Sequence, residues 1–289
     1  MLDHVQRNVD RFLHRMSTDP LATVAKFYAD CLVDNSKALE YLQRNALLGV
    51  GRDVANPLQI GFADRSLGKC IPKKIVKLGR ELRSKLEQVG VYRANGREHF
   101  RGMVTLPLWS FGEGDILAVS GIYGLRIDRN SGGEREQSIG AGIVNAQAMN
   151  RFDELIVCES VREAWTFIAA GHENAICALG DVAIPPSVQA RAKRVILASP
   201  EGEAGPFAAC ESFRLRLPPG ISVNQYALKH ASDSDPLGGL IRHAPWLQAA
   251  QKQPEEVVAW YNQRLWNNYL RPTTISFALR FRTCPMRGT

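Results

Sequence analysis

The acidic residues best suited to chemistry lie in two short runs. In LIVCESVREA (155–164), Glu159 directly follows an apolar stretch and precedes a helical pattern, with Glu163 one turn further on. In VILASPEGEAG (195–205), a second apolar stretch opens into a loop carrying Glu201 and Glu203 in E-x-E spacing. Carboxylates gathered at strand ends are hard oxygen donors of the kind Mg²⁺ takes, and open α/β sheets hold their ligands at the carboxyl ends of the strands. Simpler explanations compete. An acid at a helix start is stabilised by the helix dipole without any metal, and Glu201 and Glu203 also read as solvated loop acids.

The elements that would position these acids follow from periodicity. From Leu155 the chain alternates LIVC, a helix carrying Val161, Ala164, Trp165 and Ile168 and stopped by Gly171, the strand ENAICAL, a helix SVQARAKR, then VILAS and FRLRL. Strands separated by helices predict a parallel sheet with crossover connections, a four-stranded unit over roughly residues 152–219. Trp165 shares its helix's apolar stripe and reads as core. Upstream, Val5, Val9, Phe12 and Leu13 recur at helical spacing, as do Leu21, Val24, Ala25, Tyr28 and Leu32, and Asp34-Asn35-Ser36 forms a turn and N-cap for SKALEYLQRN. Ile75, Leu78, Leu82, Leu86 and Val89 mark one face of a further helix, opposite Lys73, Lys77 and Arg80; Gly79 weakens it by about 1 kcal/mol relative to alanine. FRGMVTLPLWS and DILAVSGIYGLRI read as strands joined at Gly112-Glu113-Gly114, and the polar run 128–136 as an exposed loop. The expected fold class is α/β: an α+β N-terminal subdomain over 1–150, a parallel α/β unit with flanking helices over 151–232, and a helical tail over 233–289. The tail's Trp246, Trp260, Tyr261, Trp266 and Tyr269 are expected to pack back on the parallel unit, with stacking on nucleic-acid bases as the alternative use.

Composition narrows the function classes. With 45% hydrophobic and 22% charged residues the 289-residue chain is globular rather than disordered. No run approaches the ~20 apolar residues that span a bilayer, and the charged N-terminus does not read as a secretory signal, which points to a cytoplasmic protein without membrane partners. The six cysteines are scattered singly with no C-x-x-C pair, so neither a zinc knuckle nor a disulfide framework is encoded, and the six histidines show no ligand spacing. The formal charge of +7 is concentrated: residues 65–101 hold eleven Lys/Arg against three Glu, a net of +8. Lys69, Lys73, Lys74, Lys77, Arg80, Arg83 and Lys85, with Arg101 nearby, form a candidate surface for a polyanion, above all a nucleic-acid backbone.

Five stretches in order resemble the catalytic core of bacterial DnaG-type primases, and especially the primase-like Toprim proteins of mobile elements, across roughly residues 27–247. FYADCLVDNSKALEYLQRNALL resembles the family's opening helices, LQIGFADRSLG the segment that follows, and HFRGMVTLPLW the start of the core strands. LIVCESVREAWTFIAAGHENAICALG resembles the first Toprim strand, helix and following strand, and ISVNQYALKHASDSDPLGGLIRHAPWL a tail typical of the mobile-element group.

The resemblance implies a Toprim-type sheet, Glu159 at the position of the motif's glutamate, and Glu163 where the motif usually has Asp. It also implies an Asp-x-Asp that, with that glutamate, holds Mg²⁺ for nucleotidyl transfer on single-stranded DNA. Here Pro200 and Gly202 fall on the two aspartates, and neither carries a carboxylate. Glu201 and Glu203 reproduce the spacing one residue later, but Pro200 fixes φ and a one-residue slip reverses the face of each side chain. The family's zinc-binding module has no cysteine cluster to represent it, so a separate zinc-binding or primase subunit, or a replicative helicase, is the partner to expect. SGGEREQSIGAG replaces the family's lysine-rich segment before the Toprim unit. Two expectations result: a primase-like single-stranded DNA binder with impaired or no nucleotidyl transfer, or an active primase whose Mg²⁺ is held by Glu159 and the shifted Glu201 and Glu203.

Overall fold

The structure is a computed structural model that describes residues 2–48, 58–128, 135–199, 204–233, 235 and 237–248. The first stretch forms α1 (Leu2–Thr18), α2 (Pro20–Val33) and α3 (Ser36–Arg44). Side-chain caps set two of the starts. Asp19 accepts from Ala22 N at 3.1 Å ahead of Pro20, and Asn35 accepts from Ala38 N at 3.0 Å. The buried face of α2, Val24, Ala25, Tyr28 and Leu32, lies against β1 (Gly61–Phe62). The approach is close because Gly61 has no side chain: a Cβ there would sit 2.6 Å from the Tyr28 carbonyl carbon.

After α4 (Leu67–Cys70) and α5 (Lys77–Gln88), the long hairpin of β2 (Met103–Phe111) and β3 (Leu117–Arg126) turns through Gly112, Glu113 and Gly114 as expected. β4 (Glu136–Ile139) begins at the last residue of the stretch read as loop and pairs with β3, while residues 129–134 of that stretch lie outside the described residues. Then follow β5 (Gly142–Val144), α6 (Ala148–Arg151), β6 (Glu154–Cys158), α7 (Val161–Ala169), β7 (Ala175–Leu179), α8 (Pro186–Gln189), β8 (Arg194–Leu197) and β9 (Glu211–Arg214). The described chain closes with α9 (Val223–Lys229), α10 (Gly238–Arg242) and β10 (Trp246–Gln248).

Among the described residues the strands form one sheet in the order β10-β9-β8-β6-β7-β5-β2-β3-β4, with β1 on β2. Neighbours in β7-β6-β8-β9 are parallel, giving the expected four-stranded unit. β5 pairs antiparallel with both β7 and β2, so the sheet runs unbroken across residue 150. One face buries Trp165 and Phe167 of α7 together with Leu42 of α3 and Tyr123 of β3, and a cluster under α6 and α8 holds Met149, Leu155 and Val195. Trp165 is core, 1% exposed. Trp246, by contrast, stands 57% exposed on the edge strand β10 rather than packing inward; Trp260, Tyr261, Trp266 and Tyr269 lie outside the described residues.

Two expected helices differ in extent. Ile75 precedes α5 and is 88% exposed, and Leu78 is exposed too; the inward face is Gly79, Leu82 and Leu86. The cause is a backbone crossing, since a Cβ on Gly79 would lie 2.3 Å from Pro72 O and 2.4 Å from Lys73 O. Gly79 is therefore a contact point, not a weakness tolerated by packing. The helix read over SVQARAKR stops at Gln189. Lys193 N and Arg194 N both donate to Asp153 O, at 2.7 and 3.1 Å, which draws the chain into β8 before another turn forms.

The third core cluster, beneath α1, α2 and α5, contains Tyr28 and Phe100 and borders the buried carboxylate Glu98. Neither Glu98 oxygen closes a well-formed hydrogen bond among the described residues. Burial pushes its carboxyl up to about 7, Asp64 adds to the rise, and Arg101 and Arg65 oppose it.

Two outcomes are expected. Gly79→Ala should lose about 1–3 kcal/mol in denaturant unfolding by overpacking against fixed backbone, and unchanged stability would remove the crossing argument. The proton that folding adds to Glu98 stabilises the fold below its ordinary range and is lost as pH rises through about 7. Glu98→Gln should therefore match wild type near pH 5 and exceed its stability by about 2 kcal/mol near pH 8, from ~1.4 kcal/mol per pKa unit reduced for partial solvent screening. A pH-independent difference between the two proteins would contradict this.

Candidate functional site

The apolar run Leu155, Ile156, Val157, Cys158 becomes β6, hydrogen-bonded on one side to β7 and on the other to β8. Glu159 is the first residue past its carboxyl end. The helix that follows is started by its neighbours. Ser160 is the N-cap, its Oγ accepting from Glu163 N at 3.2 Å, while Glu163 Oε2 accepts from Ser160 N at 3.3 Å. This reciprocal capping box satisfies two backbone donors that the helix leaves open.

The turn separates the two acids. Glu163 is partly buried and folded back on the turn; burial raises its pKa, and the Ser160 and Glu159 amides pull it down. The Glu159 carboxylate is exposed and makes no hydrogen bond or ion pair among the described residues. Capping therefore explains Glu163 and does not explain Glu159. Beneath them Cys158 and Cys177 are register partners on β6 and β7 and are free, buried thiols. Burial pushes Cys177 up to about 12 and Cys158 well above the ordinary thiol range, so both are inert protonated thiols at neutral pH.

β8 leads through buried Ser199 to the second acidic run, and Pro200, Glu201, Gly202 and Glu203 lie outside the described residues. Among the described residues no group of three or more His, Cys, Asp or Glu is placed to hold a metal ion. One free carboxylate does not make a Mg²⁺ site, so the described residues alone do not fit that ion.

The basic residues expected to form one surface are divided by the structure. Lys69, Lys73, Lys74, Lys77 and Arg80 are exposed on or beside α4 and α5, Lys77 lying 4.0 Å from Glu81. Arg83 turns inward: its guanidinium donates to Gly68 O at 3.1 Å and to Ile71 O at 3.5 Å, and lies 5.8 Å from the Tyr92 ring centroid. Lys85 donates to Ser17 O at 2.7 Å, tying α5 to the end of α1. Both cations are thereby tied to backbone within the N-terminal half of the chain. Arg101 precedes β2 and lines a cavity of about 310 Å³ with Lys37, Arg65 and Arg126, three cations not singled out from the sequence. They come from separate stretches that strand pairing brings together, and no local motif marks them.

No protein-family model matches the chain, and no curated protein matches it by sequence. Solved structures do match. The zinc-binding and RNA polymerase domains of the Aquifex aeolicus primase align at 18% identity and TM-score 0.59, covering 90% of this chain and 66% of that one. A DnaG primase catalytic domain bound to ssDNA aligns at 16% identity and TM-score 0.57, covering 91% and 84%, and the E. coli primase catalytic core at 16% and 0.55, covering 86% and 82%. No described helix is long and apolar enough to cross a membrane. At these identities the likeness is one of architecture: the chain has the mixed α/β fold of the DnaG primase catalytic core.

Proposed function

We propose that this chain is a primase-like Toprim protein that binds single-stranded DNA and has impaired or no nucleotidyl transfer. The observation that carries the reading is the fold shared, over most of the chain, with a DnaG catalytic domain solved on ssDNA. The exposed lysines of residues 69–80 add a surface attractive to a phosphate backbone. Impairment follows from Pro200 and Gly202, which lack the carboxylates a Mg²⁺ pair needs. The mobile-element assignment rests on the motif run over 221–247, and a helicase or a separate zinc-binding subunit is the partner that such a core without a zinc motif calls for.

One observation favours the active alternative. Glu159 is an uncommitted carboxylate at the strand end, freed from capping by Ser160 and Glu163. In that reading Mg²⁺ is held by Glu159 with Glu201 and Glu203, and the ion supplies charge stabilisation to the attacking and leaving oxygens.

Primer synthesis on single-stranded DNA with Mg²⁺ or Mn²⁺ separates the two. Wild type is expected to make no template-dependent product above background. Robust synthesis that Glu159→Gln lowers by about a hundredfold or more would establish the active enzyme instead. Because Glu159 is exposed and unpartnered, the variant's stability should stay within about 0.5 kcal/mol of wild type. Binding to single-stranded DNA should weaken linearly with log salt concentration, with a slope of about −0.7 per phosphate contacted. Binding that is absent or insensitive to salt removes the DNA-binding reading.

A further inference from the structure

We infer that the cavity between α3 and the β1–β2–β3 strand ends is a phosphate-binding site, with Lys37, Arg65 and Arg101 as its main ligands. The source of the phosphate, a nucleic-acid strand or a free nucleotide, rests on the nucleic-acid reading above; the site itself rests on the geometry.

Three sequence-distant segments build it. β1 and β2 pair as Gly61↔Thr105 and Phe62↔Val104, which sets the chain just after β1 beside the chain just before β2. Ala63 and Gly102 are then held together, with Gly102 N donating to Ala63 O at 2.9 Å and Ala63 N donating to Met103 O at 3.0 Å. Arg65 and Arg101 follow and precede those anchors by one or two residues. β3 ends at the same edge, Met103 opposite Arg126, and the first turn of α3 brings Lys37.

The lining carries four basic side chains against two carboxylates, Asp64 and Asp128. Asp64 is already occupied, its Oδ1 accepting from Ser66 N at 2.8 Å and from the Ser66 hydroxyl. The side chains of Lys37, Arg65 and Arg101 form no hydrogen bond or ion pair among the described residues, though Arg65 and Arg101 act on the Glu98 charge. Glu98, the buried carboxylate on which Arg101 and Arg65 act, is pushed by its burial up to about 7, so near neutral pH it offsets them only in part. Gathering like charges in one recess is unfavourable unless an anion enters. The wall supplied by α3 adds to the attraction through the partial positive charge of its N-terminus, with the Ala38 amide already taken by Asn35 Oδ1. Guanidinium groups flanking an ammonium suit the several oxygens of a phosphate, each guanidinium offering two parallel donors. A volume of about 310 Å³ admits one such group with its substituents.

Arg65 also supplies a clean variant. Its φ is 76°, a left-handed conformation that glycine adopts freely, so Arg65→Gly removes the charge without adding strain. The test uses the full chain, an oligothymidylate and pyrophosphate as probes, and the variants Arg65→Gly/Arg101→Gln and Lys37→Gln. The double variant should bind the oligonucleotide about tenfold or more weakly and flatten the salt slope by about 1.4, two lost contacts at ~0.7 each. Pyrophosphate should protect wild type against thermal unfolding and lose that effect in the double variant. Lys37→Gln, which lies outside the β1–β2 junction, should weaken both probes in the same direction and guards against a folding artefact. Wild-type affinity of the variants for both probes overturns the site. If oligonucleotide binding survives in them but is lost in Lys73→Gln/Lys77→Gln, the cavity is wrong and the DNA-binding reading stands. Pyrophosphate binding that depends on the cavity, in a protein that does not bind the oligonucleotide, keeps the site and overturns the DNA reading.

Discussion

The whole arrangement hangs on β5, a strand of three residues that pairs on both sides. Its Ile143 faces Trp109 of β2, while Gly142, Ile143 and Val144 take Leu179, Ala178 and Cys177 of β7. Through this splice an antiparallel hairpin and a parallel α/β unit become one sheet, and the direction of every strand is fixed relative to the others. The splice is tight. A Cβ on Gly142 would lie 2.7 Å from Leu108 Cβ and from Ser120 Oγ, and the Ser120 hydroxyl donates to Ala141 O at 2.6 Å. Glycine at 142 lets the hairpin approach, and the serine fixes its height.

What was legible in the sequence is what local physics decides. Asn35 caps its helix within the Asp34-Asn35-Ser36 turn, where short polar residues precede apolar periodicity, and the alternation after Leu155 gives the parallel unit strand by strand. Tertiary contacts decided the rest. The apolar face read from Ile75 to Val89 fails at its first two members because the Pro72–Lys73 backbone crosses Gly79 and rotates the helix. The acid at 159 reads in sequence as a possible cap, and only the geometry shows Ser160 and Glu163 filling that role. The pair Glu201 and Glu203 lies outside the described residues, so the question raised by Pro200 and Gly202 stays one of sequence.

Charge density along the chain also proved a poor guide to charge density in space. The excess over residues 65–101 reads as one basic face, yet Arg83 and Lys85 are spent on backbone carbonyls inside the N-terminal half. Such tethered cations keep their charge, but donors given to backbone carbonyls and the fixed position leave them less free to close on a ligand. Arg101, at the far end of the run, joins Lys37 and Arg126 from outside it. A cavity assembled from several strand ends and a helix start leaves no contiguous signature, and strand pairing alone reveals it.

The registers also place the two candidate sites relative to each other. Cys158 pairs with Cys177, the next residue, Ala178, pairs with Ile143, and Ile143 pairs with Trp109; Glu159 therefore stands level with Trp109. β2 runs in the same direction as β6, so Arg101, before Met103, lies toward the opposite strand end. Six residues of β2 at ~3.3 Å each put about 20 Å of strand between these levels. A mononucleotide is too short to engage both. Under the proposed reading, a ligand that reaches from the basic cavity to Glu159 is a strand of several nucleotides, and the cavity would then anchor a chain rather than seat the reacting phosphate.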